Sequence, residues 1–183
     1  MINLDILTRM RGAGEDGAFI QGMNDLLACC DSGALAVEIG AYAGQSTELI
    51  LKSGKFERLM TVDPFVDAYD PTDVPVNKYR LSGVRYQFYQ RILQYRNVLH
   101  LNLTSAEACG LFEPNSIDFL YIDGNHQYQY IKDDIDNYLP KMKVHGIMAG
   151  HDYNIFEGVN RAVSERFGKP TRIFRDSSWM VNL

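Results

Sequence analysis

The strongest constraint on the fold is a ten-residue segment, VEIGAYAGQS at residues 37–46. In it an apolar strand with an acid near its end leads into two glycines and the start of a helix. A second apolar stretch ends in the same way, at Val62-Asp63-Pro64. Ligands of open α/β sheets bind at the carboxyl ends of parallel strands. The two segments therefore predict a nucleotide-shaped pocket at the top of a parallel sheet.

Apolar segments and segments with helical periodicity alternate along the whole chain. Strands are predicted at 34–39, 58–62, 98–101, 117–122, 147–150, 171–175 and 179–183, and helices at 17–30, 45–52, 84–95, 105–112, 128–142 and 154–167. Such alternation is typical of a doubly wound, mostly parallel sheet with right-handed crossovers. A tight turn at Asp176-Ser177 predicts a C-terminal antiparallel hairpin. The expected fold class is a Rossmann-like α/β fold with a seven-stranded sheet.

The 183 residues suit a single domain, because no linker or internal repeat divides them. Within residues 1–183 we expect an N-terminal helical segment at 1–31. Residues 64–83 contain three prolines and a glycine, together with several aspartates, and this composition is typical of a loop. A loop of this length inside a compact domain is usually functional. We therefore predict that residues 64–83 form a lid.

Composition excludes several classes of function. The net charge of −5 argues against a nucleic-acid surface, because phosphate contacts need clustered Lys and Arg. The cysteines Cys29, Cys30 and Cys109 lack a C-x-x-C spacing and are interpreted as free thiols in a reducing compartment. No apolar run reaches the roughly 18 residues of a membrane span. We expect a cytoplasmic protein with neither a nucleic-acid nor a membrane partner.

Acidic residues lie at four of the five predicted parallel strand ends: Glu38, Asp63, Asp123 and Asp152. Each carboxylate there must be paired, solvated or bound to a ligand. Glu38, placed before the glycine loop, would repel a pyrophosphate and suits an ammonium group. Asp63 suits the two hydroxyl donors of a ribose. An adenosine that carries an amino acid meets both demands, so the pattern predicts S-adenosylmethionine as the cofactor.

Four motifs carry a resemblance to a known family: VEIGAYAGQS at 37–46, VDPF at 62–65, YIDGNH at 121–126 and GHDY at 150–153. With them the chain resembles a class I S-adenosylmethionine-dependent methyltransferase, and more narrowly the small bacterial family that includes macrolide sugar O-methyltransferases. The resemblance runs from about residue 17 to the end. It implies methyl transfer to a small-molecule acceptor, with a hydroxyl group as the expected target.

The resemblance also implies roles for individual residues. Cofactor contacts are expected from Glu38, Gly40, Tyr42, Gly44, Ser46, Asp63, Ser105 and Asp123. Glu38 would bind the methionine amino group, Asp63 the ribose hydroxyls, and Ser105 would lie beside the adenine. A divalent ion, Mg²⁺ or Mn²⁺, would be held by Asp123, Asp152 and His151. His151 stands where relatives have an Asp, and a nitrogen ligand favours Mn²⁺ over Mg²⁺.

The residues leave several alternatives open. His126 or His151 could act as the catalytic base in a metal-independent reaction. A non-catalytic S-adenosylmethionine-binding protein and a Rossmann dehydrogenase are the rivals from other classes, and the missing second glycine argues against the latter. Asp133, Asp134 and Asp136 are interpreted as the solvated face of a helix. The acceptor's identity and the oligomeric state, with a homo-oligomer as one option, stay open.

Overall fold

The computed structural model describes residues 17–74 and 76–183, so most of the predicted N-terminal segment lies outside the described residues. The helices are α1 (Ala18–Ala28), α2 (Gln45–Ser53), α3 (Leu81–Ile92), α4 (Ser105–Cys109), α5 (Tyr128–Tyr138) and α6 (Glu157–Phe167). The strands are β1 (Gly33–Ile39), β2 (Phe56–Val62), β3 (Val98–Leu101), β4 (Ile117–Ile122), β5 (Met142–Gly150), β6 (Arg172–Ile173) and β7 (Trp179–Asn182). Short 3₁₀ turns lie at Val76–Lys78 and Leu139–Lys141.

The strands form one seven-stranded sheet in the order β3-β2-β1-β4-β5-β7-β6. The first five strands in this order are parallel, and β7 is antiparallel to both β5 and β6. The predicted fold class is therefore confirmed. The strand order reverses between β1 and β4, and ligands of doubly wound sheets bind at such a switch point.

Helices cover both faces of the sheet, which explains why its central strands are mostly apolar. Adjacent residues of β1 show this, because Ala36 and Val37 point to opposite faces and are both 0% exposed. Ala36 packs with residues of α1 and α2, whereas Val37 packs with residues of α5 and α6. Burial on both faces holds the strand ends, and hence the loops above them, in fixed positions.

Several boundaries differ from the sequence prediction, and for three of them the structure shows the reason. The helix predicted to reach residue 142 ends at Tyr138, because Pro140 cannot continue it, and β5 begins at Met142 instead of residue 147. The helix predicted at 84–95 begins at Leu81, whose N–H donates a 2.6 Å hydrogen bond to Asp67 Oδ1. This long-range cap satisfies one of the free donors of the first turn. No helix in the described part of the chain is long and apolar enough to cross a membrane.

Candidate active site

A cleft opens at the switch point of the sheet, above the carboxyl ends of β1, β2 and β4. It has a volume of about 740 Å³, including space open to solvent. Five of the eight predicted cofactor residues line it, namely Gly40, Tyr42, Asp63, Ser105 and Asp123. Cofactor sites of open α/β sheets commonly lie at this position.

Asp63 joins the end of β2 to the glycine loop. Its Oδ2 accepts hydrogen bonds from the backbone N–H groups of Ala41 (3.0 Å) and Tyr42 (2.9 Å), and its Oδ1 accepts one from Phe65 (2.8 Å). The backbone φ angle is 44° at Tyr42 and 49° at Phe65, a conformation that is unfavourable for residues with side chains. The carboxylate therefore holds two strained backbone positions at the rim of the cleft.

The two glycines of the loop have different surroundings. Gly40 has a φ of 84°, and a Cβ there would lie 2.1 Å from the carbonyl oxygen of Asp123. Gly44 has a φ of 79°, and a Cβ there would meet the Phe88 ring of α3 at 3.0 Å. The structure thus gives each glycine a close approach within the protein itself: Gly40 to the loop after β4, and Gly44 to α3.

Three predicted cofactor residues, Glu38, Gly44 and Ser46, do not line the cleft wall. Glu38 is 0% exposed, and its Oε2 accepts a 2.5 Å hydrogen bond from Thr47 Oγ1 in α2. Ser46 is buried in the first turn of the same helix. Both residues lie next to the glycine loop, so their contact with an amino-acid group stays a prediction.

An acidic centre, defined as Asp123, His126 and Asp152, lies where β4 and β5 end. All three side chains are buried, and one ligand atom from each lies within 4.8 Å of the others. The His126 Nε2 atom is 2.9 Å from Asp152 Oδ2. The predicted metal set contained His151 in place of His126. In the structure the His151 Nδ1 atom is 3.0 Å from Asp152 Oδ1, outside this group of three.

His126 is enclosed by two carboxylates and an aromatic ring. Its Nδ1 lies 2.7 Å from Asp70 Oδ2, and its ring stacks on Phe156 at a centroid distance of 4.2 Å. Burial by itself would lower the pKa of His126, but hydrogen bonds with Asp152 and Asp70 raise this pKa to about 9. The same bonds hold the pKa values of Asp70 and Asp152 well below their usual range, against the effect of burial. The two carboxylates therefore favour the protonated form of the His126 ring.

His151 lies under the N-terminal helix. Its ring makes an edge contact with Phe19 of α1 at a centroid distance of 5.4 Å, and its Nε2 is 3.9 Å from Asp176 Oδ2. Asp176 itself approaches Gly22, where a Cβ would lie 2.1 Å from the carboxyl carbon. The helix α1 is thereby packed against the end of β5, next to the acidic centre.

The predicted lid segment lies against the cleft. Val66, Tyr69, Asp73 and Asn77 all line it, and the Asn125 Nδ2 atom donates a 2.8 Å hydrogen bond to the Tyr69 carbonyl oxygen. The ring of Tyr69 meets that of Tyr130 on α5 at 5.6 Å. The segment is therefore in a position to cover a ligand, and its opening and closing stay a prediction.

Three carboxyl groups of the cleft were not among the predicted site residues, namely Asp70, Asp73 and Asp134. The interpretation of Asp134 as part of a solvated helix face was wrong, because this residue is 4% exposed and lines the cleft. A signal was present in the sequence: Asp134 follows Ile131 by three residues and precedes Tyr138 by four, which places it on the apolar face of α5. No pattern in the sequence singled out Asp70 among the acids of its loop.

A protein-family model described as "Methyltransferase domain" matches residues 37–153. The uncharacterised protein R132 of Acanthamoeba polyphaga mimivirus is 28% identical over 138 residues, which cover 70% of this chain and 59% of that protein. The chain thus spans less than two thirds of this relative's length.

Among solved structures, the O-methyltransferase NovP has a TM-score of 0.61 at 20% identity, with 89% of this chain and 76% of NovP covered. An rRNA methylase from Streptococcus thermophilus has a TM-score of 0.57 at 11% identity, with 89% and 93% covered. At these identities the likeness shows a shared fold.

Proposed function

Starting from the premise that this chain belongs to the methyltransferase domain family and is a class I S-adenosylmethionine-dependent methyltransferase, we propose that it methylates a hydroxyl group of a small-molecule acceptor. The observation that carries the proposal is the acidic centre beside the cofactor cleft. A hydroxyl group attacks the methyl group well only as it loses its proton, and the acidic centre is a set of groups suited to assist that loss.

Asp123, His126 and Asp152 fit a divalent ion. They offer two carboxylates and one imidazole from a buried site, and such a mixed set suits Mn²⁺ or a neighbouring transition ion better than Mg²⁺, which prefers oxygen ligands. A bound ion would lower the pKa of a coordinated hydroxyl group. The imidazole must lose its proton to bind, so metal affinity is expected to rise with pH.

The remaining chemistry is positioning. The sulfonium of the cofactor supplies the reactive methyl group, and the protein brings donor and acceptor into line. Asp63 holds the glycine loop in shape through three backbone hydrogen bonds and is proposed to bind the ribose hydroxyls. Glu38 is proposed to neutralise the ammonium group of the cofactor from below the loop.

The charge of the cleft supports a small-molecule acceptor. Its lining includes the acids Asp63, Asp70, Asp73, Asp123 and Asp134. Such a surface repels a phosphate backbone, whereas nucleic-acid sites carry clustered cations. The rRNA methylase shares the fold, so the fold alone does not separate the two acceptor classes, whereas the charge of the cleft favours a small molecule.

A second candidate is metal-independent O-methylation with a histidine base. The raised pKa of His126 favours its protonated form, which is a poor base. His151, whose Nδ1 lies 3.0 Å from Asp152, is then the better candidate. Activity that survives chelation and is lost in His151→Gln would favour this mechanism over the metal-assisted one.

The deciding experiment is turnover on defined acceptors. The enzyme is incubated with S-adenosylmethionine and a panel of catechols, phenols, sugars, amines and short RNAs, and S-adenosylhomocysteine is measured by mass spectrometry. We expect product with at least one hydroxyl acceptor and loss of that activity in Asp152→Asn. Asp133→Asn, which changes an exposed acid on α5, is the matched control. Methylation confined to amines or RNA would refute the proposal.

A further inference from the structure

Asp134 is a buried carboxyl group that methyl transfer itself does not require. It is 4% exposed on α5 and lines the cleft beside Ser105. The groups that shift its pKa are the Ser105 side chain, which hydrogen-bonds to it, and the carboxylate of Asp133, and neither of these is a cation. A buried acid with so little compensation is costly for stability. A ligand that offers it hydrogen bonds would account for its presence.

The order of the strands gives the direction in which a bound nucleoside runs. Glu38 and the glycine loop belong to β1, and Asp63 follows β2, the next strand outward. With the amino-acid end of the cofactor at β1 and the ribose at Asp63, the base continues towards β3. Ser105 lies there, at the start of α4, which Thr104 caps by accepting a 3.3 Å hydrogen bond from the Glu107 N–H.

Aromatic groups accompany the carboxyl group at this end of the cleft. Tyr130 lies four residues before Asp134, on the same side of α5, and its ring meets Tyr69 of the lid at 5.6 Å. Tyr69 is close enough to Asp134 for the carboxylate charge to raise the pKa of its phenol, after the larger effect of burial. A planar base placed here would have aromatic surface beside it and a carboxyl group at its edge.

We propose that Asp134 binds the edge of the cofactor's adenine by accepting a hydrogen bond from the exocyclic 6-amino group, which makes it a specificity-determining residue of the cleft. The inference rests on the cleft being the cofactor site. It assigns to α5 a contact with the base, in addition to the contacts expected from the loops after β1, β2 and β3.

The protonation state of Asp134 adds a second hydrogen bond. Burial raises the pKa of this carboxyl group to about 7, against the lowering effect of the Ser105 hydrogen bond and with a further rise from Asp133. A neutral acid has one donor and one acceptor side by side, which match N1 and the 6-amino group of adenine. The titratable groups around it are Tyr69 on the lid, Tyr138 and Asp133 on its own helix, and Asp63, Asp70, Asp73 and Asp123 in the same cleft.

The test is a double-mutant cycle in which one change removes the Asp134 carboxyl group and the other removes the 6-amino group of the adenine. Calorimetry at pH 6.5 compares S-adenosylhomocysteine with its analogue in which hydrogen replaces the 6-amino group. In the wild type we expect the analogue to bind roughly tenfold more weakly or worse, because it leaves a buried acceptor unpaired. In Asp134→Leu the two ligands should differ by less than about threefold. Asp134→Asn, whose amide oxygen still accepts, and the exposed Asp133→Asn should keep the wild-type ratio.

The inference would be overturned if the analogue lost the same affinity, relative to S-adenosylhomocysteine, in the wild type and in Asp134→Leu. Failure of the wild type to bind S-adenosylhomocysteine would overturn the cofactor site itself, and is thus a distinct result. A third comparison needs no variant and covers the case in which Asp134→Leu does not fold. The 1-deaza analogue, with CH in place of N1, should be penalised more at pH 6 than at pH 8.5 in the wild type. An equal penalty at both pH values contradicts the two-bond pairing.

Discussion

Asp70 accepts two hydrogen bonds from His126, one from its backbone N–H and one from its ring Nδ1, each 2.7 Å long. Asp70 belongs to the lid, whereas His126 follows β4. The other ring nitrogen of His126 is 2.9 Å from Asp152, after β5. A row of three charged groups therefore connects the lid to the acidic centre.

Replacing Asp70 by Ala should release the lid. His126 then loses one of its two carboxylate partners, and the free energy of unfolding should fall by about 3–5 kcal/mol, as for other broken buried ion pairs. Amide hydrogen exchange at residues 66–74 should become faster, as mass spectrometry would detect. Val74→Ala, an exposed change in the same segment, serves as the control. Unchanged exchange in Asp70→Ala would show that other contacts hold the lid.

Replacing Asp63 by Ala should abolish high-affinity cofactor binding. The variant loses the acceptor of three backbone hydrogen bonds, and both strained residues of the rim lose their support. We expect the Kd for S-adenosylhomocysteine to rise by roughly 100-fold or more in calorimetry, given about 1–3 kcal/mol for each lost bond to a charged group. Glu57→Gln, which changes an exposed acid in the preceding strand β2, is the control. An unchanged Kd would place the cofactor elsewhere.

The affinity for Mn²⁺ should depend more on His126 than on His151. Mn²⁺ titrated into chelator-treated protein and followed by electron paramagnetic resonance should bind the wild type and lose at least tenfold in affinity in Asp152→Asn. We expect His126→Gln to weaken binding more than His151→Gln, because only His126 places a nitrogen within the group of three. A larger loss of affinity in His151→Gln would instead support the ligand set predicted from the sequence, in which His151 joins Asp123 and Asp152.

The buried Asp134 should make stability depend on pH. Its folded pKa of about 7 lies above the value near 3.9 of an unfolded Asp, so the folded state binds this proton more tightly. The stability of the wild type, measured as its free energy of unfolding minus that of Asp134→Asn, should therefore fall as the pH rises from about 4 to 7. The total loss should be up to roughly 4 kcal/mol. Urea unfolding at pH 4.5 and pH 8 measures this. Asp133→Asn should parallel the wild type, and a pH-independent difference for Asp134→Asn would show that its carboxyl group titrates normally.

The sequence predicted the architecture because the information for it is local. The central strands are largely apolar runs, the longer helices have an apolar stripe, and the acids Glu38, Asp63, Asp123 and Asp152 lie at the ends of strands that meet at one edge. The missed features depend on the path of the lid. Asp70 and His126 are 56 residues apart in sequence, and Asp67 caps a helix that starts 14 residues later. No local pattern encodes such pairings, whereas the apolar surroundings of Asp134 on its helix were readable.

The contact between Gly40 and the Asp123 carbonyl group has a consequence for the transfer distance. The loop proposed to hold the methyl donor and the loop that bears an acid for the acceptor touch through backbone atoms, with no room for a Cβ between them. Substitutions of side chains around the cleft would therefore change which molecules fit. The loop after β1 and the loop after β4 would keep their relative position, because their contact is between backbone atoms. In the proposed reaction, the main chain would thus set the distance over which the methyl group moves.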